Sequence, residues 1–88
     1  MEVIYKDKAL RDIEFWKRSG NTQVQRKISA LIEDICKHPS TGVGKPEELK
    51  HDLSGLWSRR INIEHRIIYE FNEKQVFVIS LRGHYQVR

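Results

Sequence analysis

The sequence has little that would cross-link the chain or anchor it in a membrane. Cys36 is the one cysteine among 88 residues, which excludes an intrachain disulfide, whereas small secreted domains normally need several. The longest purely apolar run, residues 76–79, is far shorter than the roughly 20 residues of a membrane-spanning helix. Met1-Glu2-Val3 also lacks the basic and then apolar start of a secretory leader. We therefore expect a cytoplasmic protein with no membrane partner.

Metal-ligand patterns are also missing. The four histidines show no i, i+4 pair, and Cys36 with His38 makes a poor site, so we expect neither a metal nor a cofactor. Eighty-eight residues suffice for one domain, spanning 1–88. Sixteen Lys and Arg against twelve Asp and Glu leave a net charge of +4. This balance is compatible with a polyanionic partner.

Two helices are predicted from apolar spacing. Residues 2–6 form a β-rich run, and helical periodicity then extends from about 7 to 19, where Asp7 is a good N-cap and Gly20 a stop. The second helix begins at Thr22, whose spacing to Gln25 fits a capping box, and Pro39 ends it. Its apolar stripe is Val24, Ile28, Leu31, Ile32 and Ile35.

The second half of the chain changes to a period of two. Residues 56–62, 65–71 and 75–81 read as three strands of an antiparallel meander, preceded by a long loop at 39–55 with at most a helical turn at 46–50. The fold class predicted is α+β, in the order β-α-α-β-β-β, with an antiparallel sheet packed on a two-helix hairpin. The expected core is Ile13, Trp16, Ile28, Leu31, Ile32, Phe77, Ile79 and Leu81.

One face of this sheet is predicted to be cationic. Aligning the apolar faces of the strands puts Arg60, Arg66, Arg82 and His84 on the side away from the helices. Guanidinium groups on an uncovered sheet can bind the phosphates of RNA or DNA. The alternative is a solvated face that is merely polar.

The chain also contains the groups for metal-free cleavage of RNA. That reaction needs a base for the 2′-hydroxyl, cations for the phosphorane and an acid for the leaving oxygen. Glu47 and Glu48 lie in the loop, Arg60 and Arg66 on the sheet, and His84 at the end of the last strand. Taken alone, Glu47 is an ordinary exposed acid.

Several segments together closely resemble the YoeB/Txe toxins of the RelE/ParE superfamily of bacterial toxin–antitoxin systems. They are Gly44-Lys45-Pro46-Glu47, Leu49-Lys50-His51, the run 53–61, the run 64–69 and His84-Tyr85. The resemblance covers essentially the whole chain. Its motifs are specific in combination, although none would suffice alone.

The resemblance implies a role for each matching residue. Glu47 looks like the general base, Arg66 like the group that stabilises the transition-state phosphate, and His84 like the general acid. Tyr85 resembles a tyrosine that holds the substrate. The residues similar to RNA-contacting cations are Lys50, Arg59 and Arg60, to which we add Arg82 from its predicted place on the cationic face.

The same resemblance implies an activity and partners. Such toxins are endoribonucleases that cut messenger RNA in the ribosomal A site, and an acidic antitoxin similar to YefM or Axe blocks them. A homodimer is a further expected association. Two alternatives remain: a non-catalytic inhibitor like the ParE relatives, which act on DNA gyrase, and a nucleic-acid-binding module. The joint presence of Glu47, Arg66 and His84 favours the nuclease.

Overall fold

The computed structural model describes residues 1–83. In chain order the elements are β1 (Glu2–Tyr5), α1 (Asp7–Ser19), α2 (Thr22–Lys37), β2 (Glu47–Glu48), a 3₁₀ turn (His51–Leu53), β3 (Trp57–Arg60), β4 (Arg66–Phe71) and β5 (Gln75–Ser80). Neither helix in this range has the length and apolar character needed to cross a membrane. The predicted order of a strand, two helices and a meander is confirmed.

The two helices are joined by a tight turn. Gly20 adopts the left-handed conformation with φ of 71°, a region that glycine enters without a Cβ penalty. Asn21 then caps α2, since its Oδ1 accepts a hydrogen bond from the Val24 N–H at 3.0 Å. The prediction that Thr22 opens a capping box was therefore wrong by one residue. The prediction that Asp7 is the N-cap of α1 was wrong in the same way, because the N-cap is Lys6 and Asp7 is the first helical residue.

The sheet is mixed, with the strand order β1-β5-β4-β3-β2. The predicted meander is confirmed, because β3 pairs antiparallel with β4 and β4 with β5. The expectation of an antiparallel sheet is wrong for β1, which pairs in parallel with β5. Parallel neighbours need a long crossover connection, and here the helices and the meander lie between the two strands.

The helices cover one face of the sheet. Trp16, Ile28, Leu31 and Leu81 are buried in one cluster, with Ile13 and Ile32 partly buried against it, as predicted. In β5 the predicted side is wrong: Val76 and Val78 belong to this cluster, whereas Phe77 and Ile79 are only half-buried outside it.

A register shift explains the error in β5. Ile68 pairs with Ser80 but its neighbour Tyr69 pairs with Val78, so one residue of β5 is extra. Such a bulge changes which side chains face the core. In simple alternation Val78 and Leu81 would lie on opposite faces of the strand. Because of the extra residue, both lie in the core.

The loop before the meander contains a strand in place of the expected helical turn at 46–50. Glu47 pairs with Ser58 and Glu48 with Trp57. The Leu49 N–H continues this ladder by donating to the Leu56 carbonyl at 2.8 Å. Since these backbone groups pair with β3, they are not available for a helical turn.

Two leucines on the helices provide a matched test of the core. Leu31 is fully buried and Leu10 is 51% exposed. We expect Leu31→Ala to lower the free energy of unfolding by about 2–5 kcal/mol and Leu10→Ala to change it by about 0.5 kcal/mol or less. Urea unfolding followed by circular dichroism measures both, and equal effects would contradict the packing described.

Candidate functional site

Glu47 and Arg66 are brought together by the pairing of three strands. Glu47 lies opposite Ser58 in β3, and Ser58 lies opposite Ile68, two residues along β4 from Arg66. Arg66 Nη1 donates to Ser58 Oγ at 3.1 Å and lies 4.0 Å from Glu47 Oε1. The site therefore places a carboxylate that can accept a proton beside a guanidinium that can bind a phosphate.

Both groups remain accessible to a ligand. The Glu47 side chain is 64% exposed and that of Arg66 is 27% exposed. Because Ser58 is 1% exposed and buried beneath them, its hydroxyl fixes one edge of the guanidinium from the protein side. Other N–H groups of the Arg66 guanidinium can donate to an anion that binds above the sheet.

The end of the described chain lies against Arg66. The Arg66 N–H donates to the Gly83 carbonyl at 2.8 Å. His84 and Tyr85, predicted as the acid and as a substrate-holding residue, lie outside the described residues. Gly83 precedes them directly, so the last described residue is hydrogen-bonded to the backbone of Arg66.

Two of the predicted RNA-contacting cations are exposed, and one of them lies beside this pair. Arg60 lies directly opposite Arg66 in the sheet, and its side chain is exposed. A cleft of about 650 Å³ is lined by both arginines together with Lys27 and Lys45. Lys50 is also exposed, immediately before the 3₁₀ turn. Phosphates could therefore follow several cations across this face.

Arg59 has a different role from the one predicted. Its side chain is fully buried and cannot contact RNA in this fold. Arg59 Nε donates to Tyr69 Oη at 3.1 Å, and Nη1 donates to Asp34 Oδ2 at 2.5 Å. The carbonyl oxygens that accept its other hydrogen bonds belong to His38, Thr41 and Val43. Arg59 is thus a structural cation inside the domain.

These contacts tie the loop after α2 to the sheet. Tyr69 Oη donates to the Pro39 carbonyl at 2.6 Å, and Asp34 Oδ2 accepts from the Val43 N–H at 3.2 Å. The loop then passes so close to α2 and β3 that a Cβ at Gly44, whose φ is 83°, would lie 2.8 Å from a Leu31 methyl carbon and 3.2 Å from the Arg60 carbonyl oxygen. Only glycine fits there, three residues before Glu47.

The position of Arg82 also differs from the prediction. The expected location was the open sheet face beside Arg66. Instead, the Arg82 guanidinium carbon lies 3.7 Å from the centre of the Phe15 ring on α1, a cation–π contact. β5 ends at Ser80, so strand alternation no longer fixes the direction of this side chain.

Sequence reasoning missed Ser58 and His65 as parts of the site. Ser58 shares the parity of Arg60, which could have placed it on the same face. His65 Nδ1 accepts a hydrogen bond from the Gly83 N–H at 2.9 Å, a contact between distant residues that no local pattern indicates. Within residues 1–83 no cluster of three or more His, Cys, Asp or Glu is arranged to hold a metal ion.

Comparison with known proteins identifies the relatives of this chain. Residues 5–85 match the family model described as YoeB-like toxin of bacterial type II toxin–antitoxin system. Toxin YoeB of Synechocystis sp. is 40% identical over 98% of this chain and 99% of its own length. The structure of a YoeB/ParE toxin from Agrobacterium tumefaciens superposes with a TM-score of 0.90 at 39% identity, covering 97% of this chain and all of that one.

Two structures from Staphylococcus aureus are also similar. A YoeB dimer has a TM-score of 0.88 at 31% identity, and a YoeB–YefM complex has a TM-score of 0.86 at 32% identity. Each match covers 97% of this chain and 98% of the other. Those similarities extend over essentially the entire α+β domain.

The ion pair of Asp34 with Arg59 predicts a defined pH dependence. The hydrogen bond from Arg59 is the main cause that lowers the pKa of Asp34 below its ordinary value of about 3.9. A lowered pKa stabilises the fold fully above the unfolded value, and this stabilisation is lost as the pH falls through the folded value. We expect Asp34→Asn to destabilise the protein at pH 7, and the difference from the wild type to shrink below about pH 4.

Urea unfolding between pH 7 and pH 3 measures this difference. Glu33→Gln is the matched control, since Glu33 neighbours Asp34 and is 73% exposed in a 3.5 Å pair with Lys37. Exposed pairs of this kind contribute little. An Asp34→Asn effect that is constant across the whole range would rule out the ionised pair as its source.

Proposed function

Because the chain belongs to the YoeB-like toxins of bacterial type II toxin–antitoxin systems, we propose that it is an endoribonuclease that cleaves messenger RNA in the ribosomal A site. The observation that carries the proposal is the Glu47 carboxylate 4.0 Å from the Arg66 guanidinium on an accessible face. Ribosomes are in the cytoplasm, so the proposed activity is cytoplasmic.

The proposed reaction is attack by the RNA on its own backbone. Glu47 accepts the proton of the 2′-hydroxyl, and the 2′-oxygen forms a bond to the adjacent phosphorus. Arg66 stabilises the negative charge of the pentavalent phosphorane. The bond to the 5′-oxygen breaks as His84 donates a proton to it, which leaves a 2′,3′-cyclic phosphate and a 5′-hydroxyl. No metal or other cofactor is required.

The geometry supports this division of roles between Glu47 and Arg66. A carboxylate and a guanidinium in bidentate contact would neutralise each other, whereas here the nearest atoms are 4.0 Å apart and Arg66 donates instead to Ser58. A phosphate could therefore bind Arg66 while Glu47 faces the neighbouring hydroxyl. We assign substrate binding to Lys50, Arg60 and Tyr85, but not to the buried Arg59 or to Arg82, whose guanidinium lies against Phe15.

Two neighbouring glutamates provide a sharp test. Glu47 and Glu48 are both exposed in β2 and differ in which face of the strand they occupy. We expect Glu47→Gln to lower the rate of mRNA cleavage about 10²–10⁴-fold, as loss of a positioned base commonly does, and Glu48→Gln to leave it near the wild-type rate. Cleavage is measured on translating ribosomes by mapping the new 5′ ends.

The same assay distinguishes the proposed chemistry from the alternatives. A 2′-deoxynucleotide at the scissile position should abolish cleavage, and a chelator should not. Equal activity of the two glutamine variants would remove Glu47 from the reaction. Toxicity without any mRNA cleavage would instead indicate a non-catalytic inhibitor or a nucleic-acid-binding module.

We further propose an acidic antitoxin, similar to YefM, as the partner of this chain. The exposed cations Lys45, Lys50 and Arg60 would attract an acidic segment and speed its association. The related Staphylococcus aureus toxin is found in a YoeB–YefM complex and also as a dimer, so we include homodimerisation among the proposed associations.

Co-expression tests the antitoxin. A small acidic protein encoded beside the toxin gene should restore growth and abolish mRNA cleavage, because its acidic segment covers the cations that bind RNA. Growth and primer-extension mapping of mRNA ends provide the two measurements. A toxin that stays active with every neighbouring product would contradict the proposed partner.

A further inference from the structure

Directly after β5, the backbone at Leu81 is held by two side chains of α1. Asp12 Oδ2 accepts from the Leu81 N–H at 2.9 Å, and Trp16 Nε1 donates to the Leu81 carbonyl at 2.8 Å. Asp12 and Trp16 are both 5% exposed on α1. Buried hydrogen bonds of this kind are costly to break. Helix α1 thus fixes the chain where β5 ends.

Two residues after Leu81, the group that holds the backbone is the side chain of His65. Its Nδ1 lies 2.9 Å from the Gly83 nitrogen. A backbone N–H can only donate, so Nδ1 must carry the lone pair of the bond. The imidazole ring packs edge-on against Trp16, with ring centres 4.9 Å apart.

The turn that carries His65 is itself fixed. Asn62 Oδ1 accepts from the His65 N–H at 2.8 Å and from the Glu64 N–H at 2.9 Å. His65 directly precedes Arg66, whose N–H donates to the Gly83 carbonyl. The consecutive residues His65 and Arg66 therefore bind the two backbone polar groups of Gly83: His65 binds its N–H, and Arg66 binds its carbonyl.

We propose that His65 is a positioning residue of the ribonuclease site: by accepting the Gly83 N–H, it fixes the residue that directly precedes His84 in the sequence. This role rests on the proposed function, in which His84 is the acid and Arg66 binds the phosphate. Loss of the Nδ1 acceptor frees the Gly83 N–H, and a displacement of about 1 Å at a reacting group can cost about 10²-fold in rate.

Two substitutions separate this role from plain packing. His65→Asn keeps an acceptor, because asparagine Oδ1 occupies a place similar to that of Nδ1, but it loses most of the ring that contacts Trp16. His65→Phe keeps a ring against Trp16 and removes the acceptor. A packing role predicts that the asparagine variant is the more damaged, whereas a positioning role predicts the reverse.

We expect His65→Phe to lower kcat for mRNA cleavage about 10–100-fold with KM within about twofold, and His65→Asn to retain most of the wild-type kcat. Hydrogen exchange of the Gly83 amide, followed by NMR, should be fast in His65→Phe and protected in the wild type and in His65→Asn. This second measurement does not depend on activity.

Each result decides a separate point. A His65→Phe protein with wild-type kcat, or an asparagine variant that is the slower of the two, overturns the positioning role while leaving the ribonuclease intact. An unprotected Gly83 amide in the wild type overturns the hydrogen bond itself. A wild-type protein that does not cleave mRNA removes the proposed function, and the positioning role of His65 with it.

Discussion

The burial of one guanidinium organises the part of the protein on which the site depends. Arg59 is permanently charged, and transfer of an unpaired charge into a protein interior is prohibitively costly. Asp34, Tyr69 and three loop carbonyls together satisfy it. The loop from His38 to Val43 therefore has to fold around the Arg59 side chain, and the strand with Glu47 follows within a few residues.

The site itself is assembled by sheet pairing. Glu47, Ser58 and Arg66 are widely separated along the chain, yet β2, β3 and β4 are neighbours in the sheet. Their side chains meet on the face opposite the helices because alternation sends every second residue there. Core side chains fill the face of the sheet that the helices cover. Their packing fixes the register of the strands, and that register aligns the polar side chains on the other face.

Strong periodicity explains what the sequence predicted correctly. Both helices, the meander and the convergence of Glu47 with Arg66 follow from apolar spacing together with the family resemblance. Arg59 was misassigned although it shares the parity of Trp57 and Ile61, which face the core. A buried arginine depends on partners such as Asp34 and Tyr69, which are distant in sequence. The bulge that reverses the predicted faces of β5 leaves no local signal, and neither does the contact of His65 with Gly83.

The parallel pairing of β1 with β5 affects how the protein can be made. During synthesis the N-terminal part emerges first, at about 5–20 residues per second. β1 cannot pair until β5 has been made, after both helices and the strands between them, and the Arg66 N–H cannot bond until Gly83 has been made. A growing chain therefore lacks both the completed sheet edge and the backbone bonds at the site. The ribosome that makes this toxin therefore completes the site only after β5 and Gly83 have been translated.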